Sequence, residues 1–157
     1  MSRRNYMLFL LALVIAVALT FLAVKSWQEW QRDRFDCTGE LSVRYPSAEA
    51  NIAIRYIFNG NNGVAILRGE ITQQGQAALP VNHNVWFSFT RKGQDYFLQS
   101  ERVSASTGEP TTNALLSRTL PDFYLRDGVP FYLNISRTDG NHWLFFTSRS
   151  PSIYCKA

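Results

Sequence analysis

The sequence predicts a mainly β protein: an N-terminal transmembrane helix followed by an antiparallel β-sandwich or small β-barrel of about eight strands. Three observations predict it. Residues 7–24 form one continuous apolar run, the pattern past Cys37 switches to period two, and Gly- and Asn-rich turn sequences separate the alternating segments.

The apolar run reads MLFLLALVIAVALTFLAV, with Thr20 as its one polar residue and no charge. At 1.5 Å per residue a helix of about this length approaches the ~30 Å hydrocarbon thickness, and Tyr6, Ser26 and Trp27 extend it into the interface. Arg3 and Arg4 precede it without an acid, whereas Lys25, Glu29, Arg32 and Asp33 follow as a mixed flank. The positive-inside bias therefore puts the N-terminus in the cytoplasm and the rest of the chain outside it. Trp27 and Trp30 suit a headgroup belt, where an indole buries its ring and keeps its N–H wet. A cleaved signal peptide is the alternative. Val24-Lys25-Ser26 is a poor cleavage triplet, and the apolar core exceeds the usual ~7–15 residues, so an anchor is favoured. The expected organisation is a cytoplasmic tail over 1–6, an anchor over 7–26, a juxtamembrane linker over 27–36 and a periplasmic β domain over 37–157.

Within that domain Ile52, Ile54, Tyr56 and Phe58 alternate with Ala53 and Arg55, and Val85, Phe87 and Phe89 with Ser88 and Thr90. Phe131, Leu133 and Ile135 follow the same rule, with Leu144 and Phe146 in step. Such alternation marks strands with one buried face. Turns fall at Asn59-Gly60-Asn61-Asn62-Gly63, Gln73-Gln74-Gly75-Gln76, Arg91-Lys92-Gly93-Gln94 and Thr138-Asp139-Gly140-Asn141, where Gly or Asn tolerates positive φ. Strands are expected near 37–45, 50–58, 63–72, 82–91, 95–104, 129–138, 141–148 and 152–156, mostly as a meander. The stretch 106–120 breaks the rhythm, and a short helix is expected over 113–118, capped by Thr111 or Thr112. Eight strands either pack as two sheets or close into a barrel. A closed barrel of that size is filled by side chains or holds one small ligand, and the abundance of aromatics favours filling.

The chain has 157 residues, a formal net charge of +4 and just two cysteines. Its basic residues beyond Cys37 are scattered and nearly balanced by acids, so the clustered footprint of a nucleic-acid binder is missing. Cys37 and Cys155 sit on the first and last expected strands. Outside the cytoplasm they are expected to pair as a staple across the domain; two buried free thiols are the alternative.

Nothing in the sequence assembles a catalytic constellation. His83 and His142 are the two histidines, and both lie at hairpin margins where a solvated imidazole is ordinary. Asp122, Asp127 and Asp139 occur in turn signatures, and no Walker loop, dinucleotide fingerprint or metal-ligand spacing is present. The expectation is a non-enzyme without cofactor or metal.

The stretch 120–133 (LPDFYLRDGVPFYL), the closing 151–156 (PSIYCK) and 37–41 (CTGEL) after a membrane segment resemble the FidL-like family of inner-membrane proteins from enteric bacteria. That resemblance implies one span, a periplasmic domain, and a layout similar to small accessory partners of membrane-spanning winged-helix regulators of the ToxR and CadC type. It transfers no functional residue. The expected function is a non-catalytic interaction module whose partner is another inner-membrane protein such as a transmembrane regulator. Residues 121–130, with Phe123, Tyr124 and Leu125, are the expected contact surface unless they pack on the sheet. The alternative is a barrel binding a small apolar or lipidic ligand.

Overall fold

The computed structural model describes residues 3–105, 110–138, 140, 142–147 and 153–157. The chain divides into two compact units, residues 1–34 and 35–157.

The first unit is one helix, α1 (Arg3–Arg32), of about 45 Å at 1.5 Å per residue. Within residues 5–32 an 18-residue window has a mean hydropathy of 3.0, long and apolar enough to cross a membrane. Its described side chains are exposed, as an unaccompanied span requires. Beyond the apolar run the helix continues through Trp27 and Trp30, whose rings stack at 5.7 Å, and the Arg34 guanidinium lies 4.6 Å from the Trp30 ring centre. The linker expected over 27–36 is thus absent: residues 27–32 are helical and only Asp33 separates α1 from β1. No Gly or Pro interrupts this stretch, and Gln, Glu and Arg are good helix formers.

The second unit is a closed antiparallel barrel: β1 (Arg34–Tyr45), β2 (Ala48–Asn59), β3 (Asn62–Gln73), β4 (Leu79–Lys92), β5 (Asp95–Ala105), β6 (Pro130–Thr138), β7 (His142–Phe146) and β8 (Ile153–Lys156), each beside its sequence neighbours. The eight strands fall where alternation put them, and of the two architectures left open the barrel is the one formed. Closure comes from β1 against β8, with Thr38 opposite Lys156 and Gly39 opposite Cys155. Diagonally across this seam a disulfide joins Cys37 to Cys155 with Cα atoms 5.4 Å apart, both residues fully buried.

Period two fills the interior. Ile52, Ile54, Tyr56 and Phe58 from β2, Val85, Phe87 and Phe89 from β4, and Leu133 and Ile135 from β6 are all buried. Phe58 sits among aromatics, its ring 5.3 Å from Phe87, 5.1 Å from Phe89 and 5.5 Å from Tyr96. Large residues face small ones across β2 and β3: Phe58 opposite Gly63, Tyr56 opposite Ala65, Ile52 opposite Gly69. A Cβ on Gly63 would collide with the Phe87 ring and lie 2.6 Å from the Ile57 carbonyl oxygen; one on Gly69 would lie 2.7 Å from Ile52 Cα. Gly69→Ala is therefore expected to destabilise the barrel by about 1–3 kcal/mol, the usual cost of overpacking, read as a lower urea midpoint with an unchanged slope.

The expected turns form. Asn59 pairs with Asn62 around Gly60-Asn61, and Lys92 with Asp95 around Gly93-Gln94, with φ of 75° at Gly60 and 66° at Gly93. In the fourth turn Asp139 and Asn141 lie outside the described residues. Between β5 and β6 the chain forms α2 (Pro110–Thr119) and a single 3-10 turn, η1 (Asp122–Tyr124). Helix α2 starts at Pro110, whose missing N–H suits a first position, so Thr111 and Thr112 fall inside its first turn and not at the position before it.

Candidate functional site

The crossover between β5 and β6 closes one end of the barrel, and it is where the sequence placed a contact surface. The structure corrects that assignment. Phe123 and Tyr124 are buried, and only Leu125 keeps part of its surface in solvent. The Phe123 ring stacks on Phe131 at 4.8 Å and approaches Phe87 at 5.9 Å. Tyr124 hydrogen-bonds through its hydroxyl to that of Tyr56 on β2. Burial raises the pKa of both phenols above the ordinary tyrosine value, so neither ionises under physiological conditions. An isolated 3-10 turn has no core of its own, and the apolar area of these two rings is recovered only by turning them into the barrel mouth.

Backbone contacts fix this plug. The Ser100 hydroxyl, buried on β5, donates to the Arg126 carbonyl oxygen at 2.7 Å and accepts from the Val129 N–H at 2.9 Å. Gly128, at φ 72°, donates its N–H to the Ser100 carbonyl at 2.6 Å. The Asp127 carboxylate accepts the Val103 N–H at 2.6 Å, and Asp122 pairs with Arg126 one helical turn on. Asp122 and Asp127 thus act as turn and bridge formers, as their sequence context suggested. Ser100 carried no sequence signal beyond its inward parity on β5. A register shift opposite Trp86 and Phe87 leaves Glu101 and Arg102 both facing out, with the Arg102 guanidinium 4.2 Å from the Trp86 ring centre.

His83 departs from the solvated imidazole expected. It is 5% exposed, inward on β4, with Nδ1 3.3 Å from the Tyr124 carbonyl oxygen. The signal was present: counting back by twos from Phe89, Phe87 and Val85 reaches His83. Burial lowers its pKa below the usual imidazole value and the charge of Arg68 adds to this, against the Tyr124 bond, which favours the cation. With the folded-state pKa depressed, the contribution of neutral His83 is complete above the unfolded value of about 6.5 and lost as pH falls below it. The melting temperature is expected to drop between about pH 7.5 and about pH 5, and His83→Gln to flatten that dependence. His142 is half-buried with its ring 5.1 Å from Tyr154, and its Nδ1 has no partner among the described residues.

Beside the plug lies a half-open cleft of about 870 Å³. Leu41 and Val43 of β1 form one wall and Val129 and Phe131 the other, while Ile54 and Leu98 lie in its buried floor. It opens where β8, four residues long, leaves the far half of β1 without a β8 partner among the described residues. Among the described residues, no group of three or more His, Cys, Asp or Glu is placed to hold a metal ion.

The family model of the YqeJ C-terminal domain matches residues 34–155. The chain belongs to that family. The YqeJ C-terminal match begins with β1 and ends at Cys155, so it spans the barrel, the plug and both halves of the disulfide. No curated protein matches the chain. The likeness to the FidL-like family rests on the sequence motifs alone.

The outer wall of this YqeJ-type barrel is uneven. On β2 and β3 its exposed residues include Asn51, Arg55, Arg68 and Glu70, with Ile57, Val64 and Ile66 half-buried among them, whereas on β5 to β8 it carries Phe97, Tyr132, Phe146 and Tyr154, exposed by 51%, 38%, 41% and 54%. Phe97 pairs with Tyr132, their rings 5.5 Å apart, and Leu144 with Tyr154. Asp95 sits at the edge of the strip, accepting hydrogen bonds from Tyr132 Oη at 2.6 Å and Asn134 Nδ2 at 2.8 Å, which hold its carboxyl below the usual range.

Proposed function

We propose that the chain is a single-span inner-membrane protein whose barrel lies in the periplasm and works as a non-catalytic interaction module on the outer domain of another inner-membrane protein. A membrane-spanning transcriptional regulator is the partner class that the FidL-like resemblance implies. The observation that carries the reading is the exposed aromatic strip on β5 to β8. Single exposed apolar residues are ordinary, but here four exposed rings lie on four neighbouring strands, two of them in contact, and tyrosine and phenylalanine are what buried interface centres use.

The anchor and the staple support the compartment. Helix α1 has the length and hydropathy of a span, and a buried disulfide belongs to an oxidising environment. A barrel joined to its anchor through Asp33 alone stays at the membrane, where a weak interface gains from high effective concentration. Three of the groups that might have served acid or base chemistry are occupied structurally: His83 holds the plug, Asp127 bridges to β5 and Asp122 pairs with Arg126.

Photo-crosslinking in intact cells tests this. A benzophenone side chain at Phe97 or Tyr154 is expected to yield one discrete membrane-protein adduct, and the same group at Glu70 on the opposite wall none. Equal adducts at all positions, or none at any, would remove the interaction reading.

A further inference from the structure

We infer that the cleft beside the plug is a binding site for a free amphipathic monoanion, a molecule with an apolar body and a single carboxylate or equivalent acid group. Its volume of about 870 Å³ lies in the range of small-molecule sites, about 300–1,000 Å³. Its walls and floor are aliphatic and aromatic, which selects an apolar body.

The rim selects the head group. Most of its polar groups are already committed: Tyr45 Oη donates to the Arg118 carbonyl at 3.0 Å, Thr119 Oγ1 to the Leu115 carbonyl at 3.0 Å, and Tyr132 Oη to Asp95. Asp122 is neutralised by Arg126. Arg118, exposed at the end of α2 and lining the cleft, makes no side-chain hydrogen bond or ion pair among the described residues. A cation with no acidic partner among the described residues, at the mouth of an apolar cleft, is complementary to one negative charge at the end of an apolar body. A guanidinium also matches a planar carboxylate through two parallel hydrogen bonds. The buried side chains of Ile54 and Leu98 line the cleft, so an apolar body would meet core residues beside the plug.

The experiment uses the full chain in lipid nanodiscs of zwitterionic lipid with a photoreactive dodecanoate, followed by peptide mapping. Saturable label is expected on the peptides containing Val43 and residues 117–131, displaced by unlabelled dodecanoate and not by dodecanol. Arg118→Gln is expected to reduce this label about tenfold at sub-saturating probe, because it removes the charge-assisted contact. Val43→Trp is expected to abolish it by filling the cleft, and Arg102→Gln, on the barrel's outer wall over Trp86, to leave it unchanged. Retained protection of the disulfide from reductant reports that each variant is folded. Label confined to α1, displacement by dodecanol as effective as by dodecanoate, or loss of label in phosphatidylglycerol-rich discs, where a bilayer lipid would be the occupant, each overturns the assignment. Phe97 and Tyr132 of the aromatic strip also line this cleft, so the partner reading is tested separately by the crosslinking group at Tyr154, which lies outside the lining.

Discussion

Replacing Cys37 and Cys155 together by alanine is expected to lower the unfolding free energy of the barrel by about 3–4 kcal/mol, read from urea titrations of the two chains under identical conditions. The cysteines are 118 residues apart in sequence. The loop that their bond closes in the unfolded chain is therefore long, and the chain-entropy model gives about 4–5 kcal/mol for a loop of that size, of which native strain removes some. Topology adds a second reason. Every other described seam of the barrel is held by a longer ladder, such as β2 on β3 from Ala48–Gln73 to Asn59–Asn62, whereas β1 and β8 share a register of two pairs. The bond thus braces the shortest of these described ladders. Because both sulfurs are fully buried, reductant is expected to act through opening of the barrel and to be slow under native conditions. A difference below about 1 kcal/mol would mean that the β1–β8 join holds without it.

The second large effect concerns the plug. Phe123→Ala is expected to cost about 3–5 kcal/mol, the range for deleting a fully buried phenylalanine, whereas Leu125→Ala two residues on should cost far less. The ring of Phe123 packs on Phe131 and Phe87, and its loss leaves a cavity bounded by β4 and β6, both pinned by their ladders and poorly able to collapse. Thermal unfolding of both variants separates the alternatives. If Phe123→Ala left the melting temperature within about one degree of the parent while weakening partner adducts, residues 123–125 would be a contact surface after all.

Much of the fold was legible because its signals are local. Period two at Ile52, Ile54, Tyr56 and Phe58 follows from the pleat, and Gly60 and Gly93 follow from the turn geometry that needs positive φ. Closure was not legible. It depends on β1 meeting β8 across the whole domain, and no local pattern distinguishes that pairing from two stacked sheets. The linker was misread because composition after the apolar run is polar; polar residues that favour helix continue α1 to Arg32 when no breaker intervenes.

At the candidate site the sequence failed in an instructive direction. Phe123 and Tyr124 lie between Pro121-Asp122 and Asp127-Gly128, turn chemistry that normally marks surface, and a run too short for periodicity cannot reveal that it folds inward. What makes it buried is distant: Ser100 on β5 and His83 on β4 bond the backbone of this segment. The cleft likewise depends on elements far apart in sequence, β1 and the β5–β6 crossover, and which described neighbours reach Arg118 depends on how the fold brings them near.

The central claim is an anchored barrel, stapled in an oxidising compartment, and one measurement bears on all of it. Cells expressing the full chain are converted to spheroplasts, treated with protease from outside, and their thiols labelled with and without reductant. The account predicts that the chain sediments with the membrane, that residues beyond α1 are reached by the protease, and that Cys37 and Cys155 label only after unfolding and reduction. A soluble chain shortened near Ser26, or a protected barrel whose thiols label without reductant, would contradict it.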